Sequence, residues 1–92
     1  MIQSFRDRAT RQLWNREPVK RFAQIERSAL EKLRFLDAAI SLKDIAARKG
    51  LRLETLRGDR RGQHSIRIND QYRICFRWQG HDAFDVEIVD YH

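Results

Sequence analysis

Asp90-Tyr91-His92 places a carboxylate, a phenol and an imidazole side by side, three groups capable of hydrogen bonding or proton transfer. A histidine has an unperturbed pKa of about 6.5, close to working pH, so His92 suits a proton-transfer role. Upstream lies a dense set of guanidinium groups: Arg57, Arg60 and Arg61 in "LRGDRRG", Arg67 in "HSIRIN", and Arg73 and Arg77 in "YRICFRW". Arginine meets phosphate through a planar fork of N–H donors that lysine cannot reproduce. This combination suits metal-free cleavage of RNA. The reaction needs a base for the ribose 2′-hydroxyl proton, cations for the charge developing at phosphorus, and an acid for the leaving 5′-oxygen. Tyr91 can stack on a base or donate a hydrogen bond.

Other chemistries find less support. No His, Cys, Asp and Glu residues are spaced as zinc ligands. The glycines of "RGDRRG" lead into a strand and not a helix, so the segment is no P-loop. Cys75 falls within a strand without a dedicated base and reads as a small packing residue. His64 and His81 flank turns and read as surface residues. No metal or cofactor is expected.

The charge balance points the same way. The chain has 92 residues, a net charge of +6 and a pI near 10.2. Residues 51–80 carry seven Arg against Glu54, Asp59 and Asp70, whereas residues 81–92 carry four acids and no Lys or Arg. A basic surface can serve solubility alone, or it can attract a polyanion such as nucleic acid or an acidic protein. The single Cys75 forms no internal disulfide and suggests a reducing compartment. "MIQSFRDRAT" lacks the apolar stretch of a secretory signal, and no apolar run approaches the roughly 20 residues that span a bilayer. The expectation is a cytoplasmic domain, residues 1–92, with no membrane contact.

Positioning these groups requires two kinds of element. "MIQSF" reads as an edge strand and "RDRATRQLWNR" as a short helix. Pro18 suits the first turn of a second helix, whose stripe is Phe22, Ile25, Ala29, Leu33, Leu36 and Ile40, at steps of three and four. Ser41 reads as the cap of a third helix, "LKDIAARK", ended by Gly50. Beyond Gly50 the period drops to two. "LRLETL", "HSIRIN", "YRICFRW" and "AFDVEIVDY" read as four strands joined by short antiparallel links. Alternation puts Ile66, Ile68, Tyr72, Ile74, Phe76, Trp78, Phe84, Val86 and Ile88 on one face, under the helices. It puts Ser65, Arg67, Asn69, Arg73, Cys75, Arg77, Asp85, Glu87, Val89 and Tyr91 on the other, an open polar face. Arg77 is expected to pair across the sheet with an acid such as Asp85. The fold class is α+β, with N-terminal helices packed on one face of a small, mainly antiparallel sheet.

In order along the chain, "RGDRRG", "HSIRIND", "YRICFRW" and "VDYH" resemble the motifs of HigB-type toxins of the RelE superfamily. Each motif alone is weak; four in register, over nearly the whole chain, are fairly specific. The resemblance implies a RelE-like fold and a ribosome-dependent mRNA endonuclease acting on codons in the ribosomal A site. It also implies a helix-turn-helix antitoxin of the HigA type as partner, with operator DNA bound only through the toxin–antitoxin complex. The family's functional positions fall on Arg57, Arg73, Asp90, Tyr91 and His92. The chain departs at Glu54-Thr55, where relatives can carry a His-Pro pair. Together these assign Arg57 and Arg73 to the phosphate, helped by Arg60, Arg61 and Arg67. Tyr91 orients the substrate and His92 leads proton transfer, with Asp90 or Glu54 in support. Glu54 is expected to hold an arginine in position more than to act as the base. The alternative is a non-catalytic basic module that docks ribosomal RNA or an acidic protein.

Overall fold

A computed structural model describes residues 1–91; His92 lies outside the described residues. Helix α1 spans Arg8–Trp14, α2 Glu26–Ala38 and α3 Leu42–Ala47. Four strands follow: β1 Glu54–Thr55, β2 His64–Arg67, β3 Tyr72–Gln79 and β4 Asp82–Asp90. They form one antiparallel sheet in chain order, β1-β2-β3-β4. The fold is therefore α+β, with the helices on one face of the sheet.

The apolar stripe explains the packing. Phe22, Ile25, Ala29, Leu33 and Leu36 are all buried against Ile66, Ile74, Phe76, Val86 and Ile88 of the sheet. Truncating one such leucine to alanine removes about 2–5 kcal/mol. Two details differ from the sequence reading. Pro18 does not open α2: Lys20–Phe22 form a 3₁₀ turn and α2 starts at Glu26. A step of three, from Phe22 to Ile25, is satisfied by a 3₁₀ turn as well as by an α-helix, so the pattern could not separate them. The helix also stops before Ile40. Ala39 turns to an extended conformation and is buried in its place, leaving Ile40 67% exposed.

Ser41 caps α3 as expected, its hydroxyl accepting from the Asp44 amide at 3.1 Å. Gly50 does not end the helix. The helix closes at Ala47, Lys49–Leu51 form another 3₁₀ turn that buries Leu51, and the left-handed residue is Arg52, at φ 48°.

The N-terminal segment is extended, as expected, and runs parallel to β4, bridging Ile2 to Ala83 and Phe5 to Val86. It satisfies the outer edge of β4. The Ala83 amide donates to the Met1 carbonyl, the Val86 amide to the Ser4 carbonyl and the Ile88 amide to the buried Thr10 hydroxyl. Such pairing removes an exposed sheet edge.

One strand breaks the alternation. Cys75 pairs with Glu87, but Arg77 pairs with Phe84, so β4 has an extra residue at this bulge. Asp85 takes it up at φ 53°, its amide donating to the Ser4 hydroxyl at 2.9 Å. Past the bulge the faces exchange. Ala83, not Phe84, enters the core, and Phe84 stands beside Arg77 on the opposite face. That opposite face is also less open than expected. Ser65, Arg73 and Cys75 are buried, because the segment from Arg52 to Gln63 folds across them.

Candidate active site

Arg73 is the centre of the polar face. It is the second residue of β3, and β2 on its flank together with the Arg52–Glu54 segment over it bury it to 7% exposure. Its Nε donates to the Ser65 hydroxyl at 2.8 Å, and Nη2 donates to the Arg52 carbonyl at 2.6 Å and the Ser65 carbonyl at 3.3 Å. The same Nη2 lies 3.2 Å from the Glu54 carboxylate. Glu54 sits opposite Ser65 in the β1–β2 pair, which brings it to this guanidinium. The sequence reading had Glu54 holding an arginine, and Arg73 is the one it meets. The left-handed turn at Arg52 aims that residue's carbonyl inward, a donor–acceptor pair that alternation alone could not reveal.

Tyr91 closes the other side. Its amide donates to the Gln71 carbonyl at 2.6 Å, and its ring centroid lies 5.6 Å from the Arg73 Cζ, within cation–π range. Tyr91 as a whole is 45% exposed, so a ligand can reach the residue.

Arg60 reaches over the sheet from the "RGDRRG" loop. Its Nη1 donates to Gln63 Oε1 and to Glu87 Oε1, both at 3.1 Å. Partial burial works against the charge, but the Glu87 hydrogen bond and the charge interactions with Cys75, Glu87 and Tyr91 together outweigh it, so the guanidinium pKa is raised. Arg6 Nε lies 3.8 Å from the same Glu87 oxygen. Beneath them Cys75 is fully buried, and burial raises its thiol pKa. The thiol is a packing group, as expected, and not a nucleophile.

The structure separates the remaining sequence candidates. Asp90 pairs with Tyr72 and shares the helix-side face with Ile88, the opposite side from Tyr91 and Arg73. Its carboxylate accepts from Gln71 Nε2 at 3.0 Å. Adjacent residues of a strand point to opposite faces, so Asp90 and Tyr91 cannot both flank Arg73. Arg67 stands across from Arg73 but is paired with Asp70 and lines a separate basic cleft with Lys32 and Arg48. Arg57 and Arg61 are exposed on the loop. His92 lies outside the described residues. His64 is half-buried on the core side against Phe76, and burial lowers its pKa. His81 is exposed, its Nδ1 2.9 Å from the Ile40 carbonyl. Among the described residues no group of three His, Cys, Asp or Glu could hold a metal ion, and no helix is long and apolar enough to cross a membrane.

Sequence reasoning missed Ser65, Gln63, Glu87 and Arg6 as members of this cluster. Alternation had put Ser65 and Glu87 on the right face, and that was the available signal. Arg6 lies 81 residues before Glu87, and nothing in the local pattern links them. What the arrangement can do is hold a phosphate near a preset guanidinium, beside the exposed Tyr91 and a second cation.

Comparison with known proteins gives the family. The family model described as "RelE-like toxin of type II toxin-antitoxin system HigB" matches residues 3–92. Toxin HigB-1 of Vibrio cholerae serotype O1 is 36% identical over 80 residues, covering 85% of this chain and 84% of that toxin. The YoeB–YefM complex from Staphylococcus aureus contains a chain with a TM-score of 0.58 to this one, at 20% identity, covering 100% of this chain and 98% of that one. At that identity the likeness speaks to the fold. With the family model over almost its whole length and a curated relative at that identity, this chain belongs to the RelE-like HigB toxins of type II toxin–antitoxin systems.

Proposed function

We propose that the protein is a metal-independent endoribonuclease that cuts mRNA on the ribosome. The observation that carries this reading is the pairing of a locked guanidinium, Arg73, with the ring of the half-exposed Tyr91, one residue before His92. Arg73 and the exposed Arg57 neutralise the phosphate, with Arg60 and Arg61 attracting the backbone. Tyr91 orients or stacks the substrate. His92 takes the 2′-hydroxyl proton, the 2′-oxygen attacks phosphorus to close a 2′,3′-cyclic phosphate, the bond from phosphorus to the 5′-oxygen breaks, and that oxygen takes a proton from water. Glu54 fixes the Arg73 fork. Asp90, on the other face, supports the end of β4 through Gln71 and does not touch the substrate.

Few of these groups are preset for catalysis, so the ribosome must contribute positioning, which alone can supply roughly 7–11 kcal/mol. By analogy with the YoeB–YefM complex, a cognate antitoxin neutralises the toxin. We assign that partner to the helix-turn-helix HigA type, binding operator DNA through the complex, in the cytoplasm.

Primer extension on a defined mRNA tests the reading. Purified protein is expected to cut ribosome-bound mRNA, to cut free RNA poorly, and to be indifferent to chelator. His92→Gln is expected to abolish cleavage. Efficient cutting of free RNA, or loss of activity in EDTA, overturns it. Ribosome binding without cutting leaves the non-catalytic module.

A further inference from the structure

The β3–β4 hairpin end carries an aromatic residue on the wrong face for a core. Simple alternation sends Phe84 under the helices. The bulge at Asp85 turns it over, so that Phe84 stands opposite Arg77 on the face that holds Arg73 and Tyr91. Phe84 is half-buried and outside the hydrophobic core. With Arg77, Trp78 and Gly62 it lines a cleft of about 400 Å³. Bulges of this kind re-aim side chains and occur beside functional sites.

The surroundings hold that geometry from several sides. Asp85 sits in the left-handed region, which aspartate tolerates better than most residues. The Ser4 hydroxyl takes its amide, and its carboxylate lies 3.6 Å from Arg77 Nε. Gly62, at φ 91°, favours glycine by its backbone, and it lies close to Arg77: a Cβ there would come within 2.7 Å of Nη1, the movable end of that side chain. Trp78 reaches the same cleft from the core side, its ring edge-on to Phe76.

We propose that this cleft is a second subsite, which stacks an unpaired nucleobase flanking the scissile phosphate. The inference rests on the RNA-cleavage reading and deepens it. Arg73 and Arg77 are four residues apart on one face of β3, about 13 Å along an extended strand. Single-stranded RNA lying along that face meets Tyr91 and Arg73 at one end and Phe84 and Arg77 at the other. An aromatic face next to a cation is the common means of gripping an unpaired base without reading its sequence closely. The cation also suits the backbone of RNA better than it suits an apolar peptide.

The test compares wild type, Phe84→Leu and Phe84→Tyr on ribosomes programmed with a defined mRNA. Cleavage rate is measured against ribosome concentration, alongside the cut-site pattern and the thermal midpoint. Phe84→Leu is expected to raise the half-saturating concentration on the order of five- to thirtyfold, with maximal rate within about twofold of wild type. Its cut-site pattern should stay that of wild type, since stacking tolerates any base, and Phe84→Tyr should keep the wild-type values. A folded Phe84→Leu with unchanged half-saturation overturns the subsite and leaves the cleavage reading standing. A defect confined to maximal rate, or loss of the thermal transition, makes Phe84 a packing residue and also overturns it. So does weakened neutralisation by the antitoxin with normal cleavage, which would give the cleft to that partner. A wild-type protein that leaves ribosome-bound mRNA uncut overturns both readings.

Discussion

Arg73 and Arg77 are the same residue type on the same strand and the same face, yet their situations are opposite. Arg73 is almost fully buried, with three hydrogen bonds and the Glu54 carboxylate around it. The Arg77 side chain is 46% exposed, with one loose ion pair to Asp85. The difference lies in their neighbours. β2 pairs with β3 from Arg73 to Phe76 and then stops, so Arg77 is flanked by β4 alone. β1 and the loop that follows it cover the Arg73 end further. Strand alternation therefore fixes the face of a side chain, and the length of the flanking strands decides whether it is buried.

The sharpest way to break this comparison is Arg73→Ala. The substitution leaves the Ser65 hydroxyl and the Arg52 carbonyl without their donor, in a place water does not readily reach. Hydrogen bonds to charged groups contribute about 1.5–3 kcal/mol each, and breaking a buried pair costs more than breaking an exposed one. The expected loss of stability is on the order of 3 kcal/mol, and each kcal/mol shifts the midpoint of a domain this size by about 4–8 °C. Ribosome-dependent cleavage should fall by at least a hundredfold, roughly the loss seen when a charge-stabilising donor is removed. Arg73→Lys keeps the charge but not the fork, so it should recover part of the activity and little of the stability. A variant as stable as wild type would mean that the buried contacts carry no net weight.

A smaller effect is expected at Glu54. Its side chain is 55% exposed and touches Arg73 from the solvent side, while Ser65 and the Arg52 carbonyl hold the guanidinium from within. An ion pair with one exposed partner contributes little, about 0–1 kcal/mol. A carboxylate beside the phosphate site also repels the substrate. Glu54→Gln is therefore expected to lower cleavage by tenfold or less on the scale of one lost positioning contact, and to leave RNA affinity equal or tighter. Glu54→His, the residue relatives can carry, should give equal or higher activity. If Glu54→Gln fell as far as His92→Gln, Glu54 would be the base, and the site would be organised around β1 instead of the end of β4.

Much of this was legible in the sequence, and the exceptions share a cause. The α+β class, the four strands and the faces of β2 and β3 follow from period and turn chemistry alone. That Glu54 would hold an arginine follows too, but which arginine does not: the β1–β2 register that brings it to Arg73 is set across an eight-residue connection. The bulge does not follow. Asp85 adopts its left-handed conformation with its amide on Ser4, a partner 81 residues away. The burial of Arg73 was missed for the same reason. Arg60 crosses two strands to reach Glu87, and no local pattern records where a loop will lie. Asp90 differs on other grounds: it pairs with Tyr72, on the face opposite Arg73, and grouping it with Tyr91 set aside the alternation applied elsewhere. In each case a local rule was overruled or neglected where a contact distant in sequence decided the geometry.

The smallest expected effect, and the one that sharpens the comparison most, is Arg77→Ala. The pair with Asp85 is long, at 3.6 Å, and both side chains are 46% exposed. Water screens it, and salt screens it further, since the Debye length is about 8 Å at physiological ionic strength. The stability loss should stay under about 1 kcal/mol, less than a few degrees in the midpoint. It should also shrink as salt is raised, because what is lost is a solvated Coulombic term. The Arg73→Ala deficit, made of buried hydrogen bonds, should persist at any ionic strength. Cleavage tells the complementary story. Arg77 lines the Phe84 cleft, so its removal should raise the half-saturating concentration of programmed ribosomes by a few-fold, the modest weight of one exposed cation on RNA. Thermal midpoints of both alanine variants at low and high salt, beside their cleavage curves, separate the two cases. A deficit at Arg77 that matched that of Arg73 and ignored salt would mean that the hairpin end is as tightly built as the centre of the sheet. The two arginines would then differ in position and not in kind.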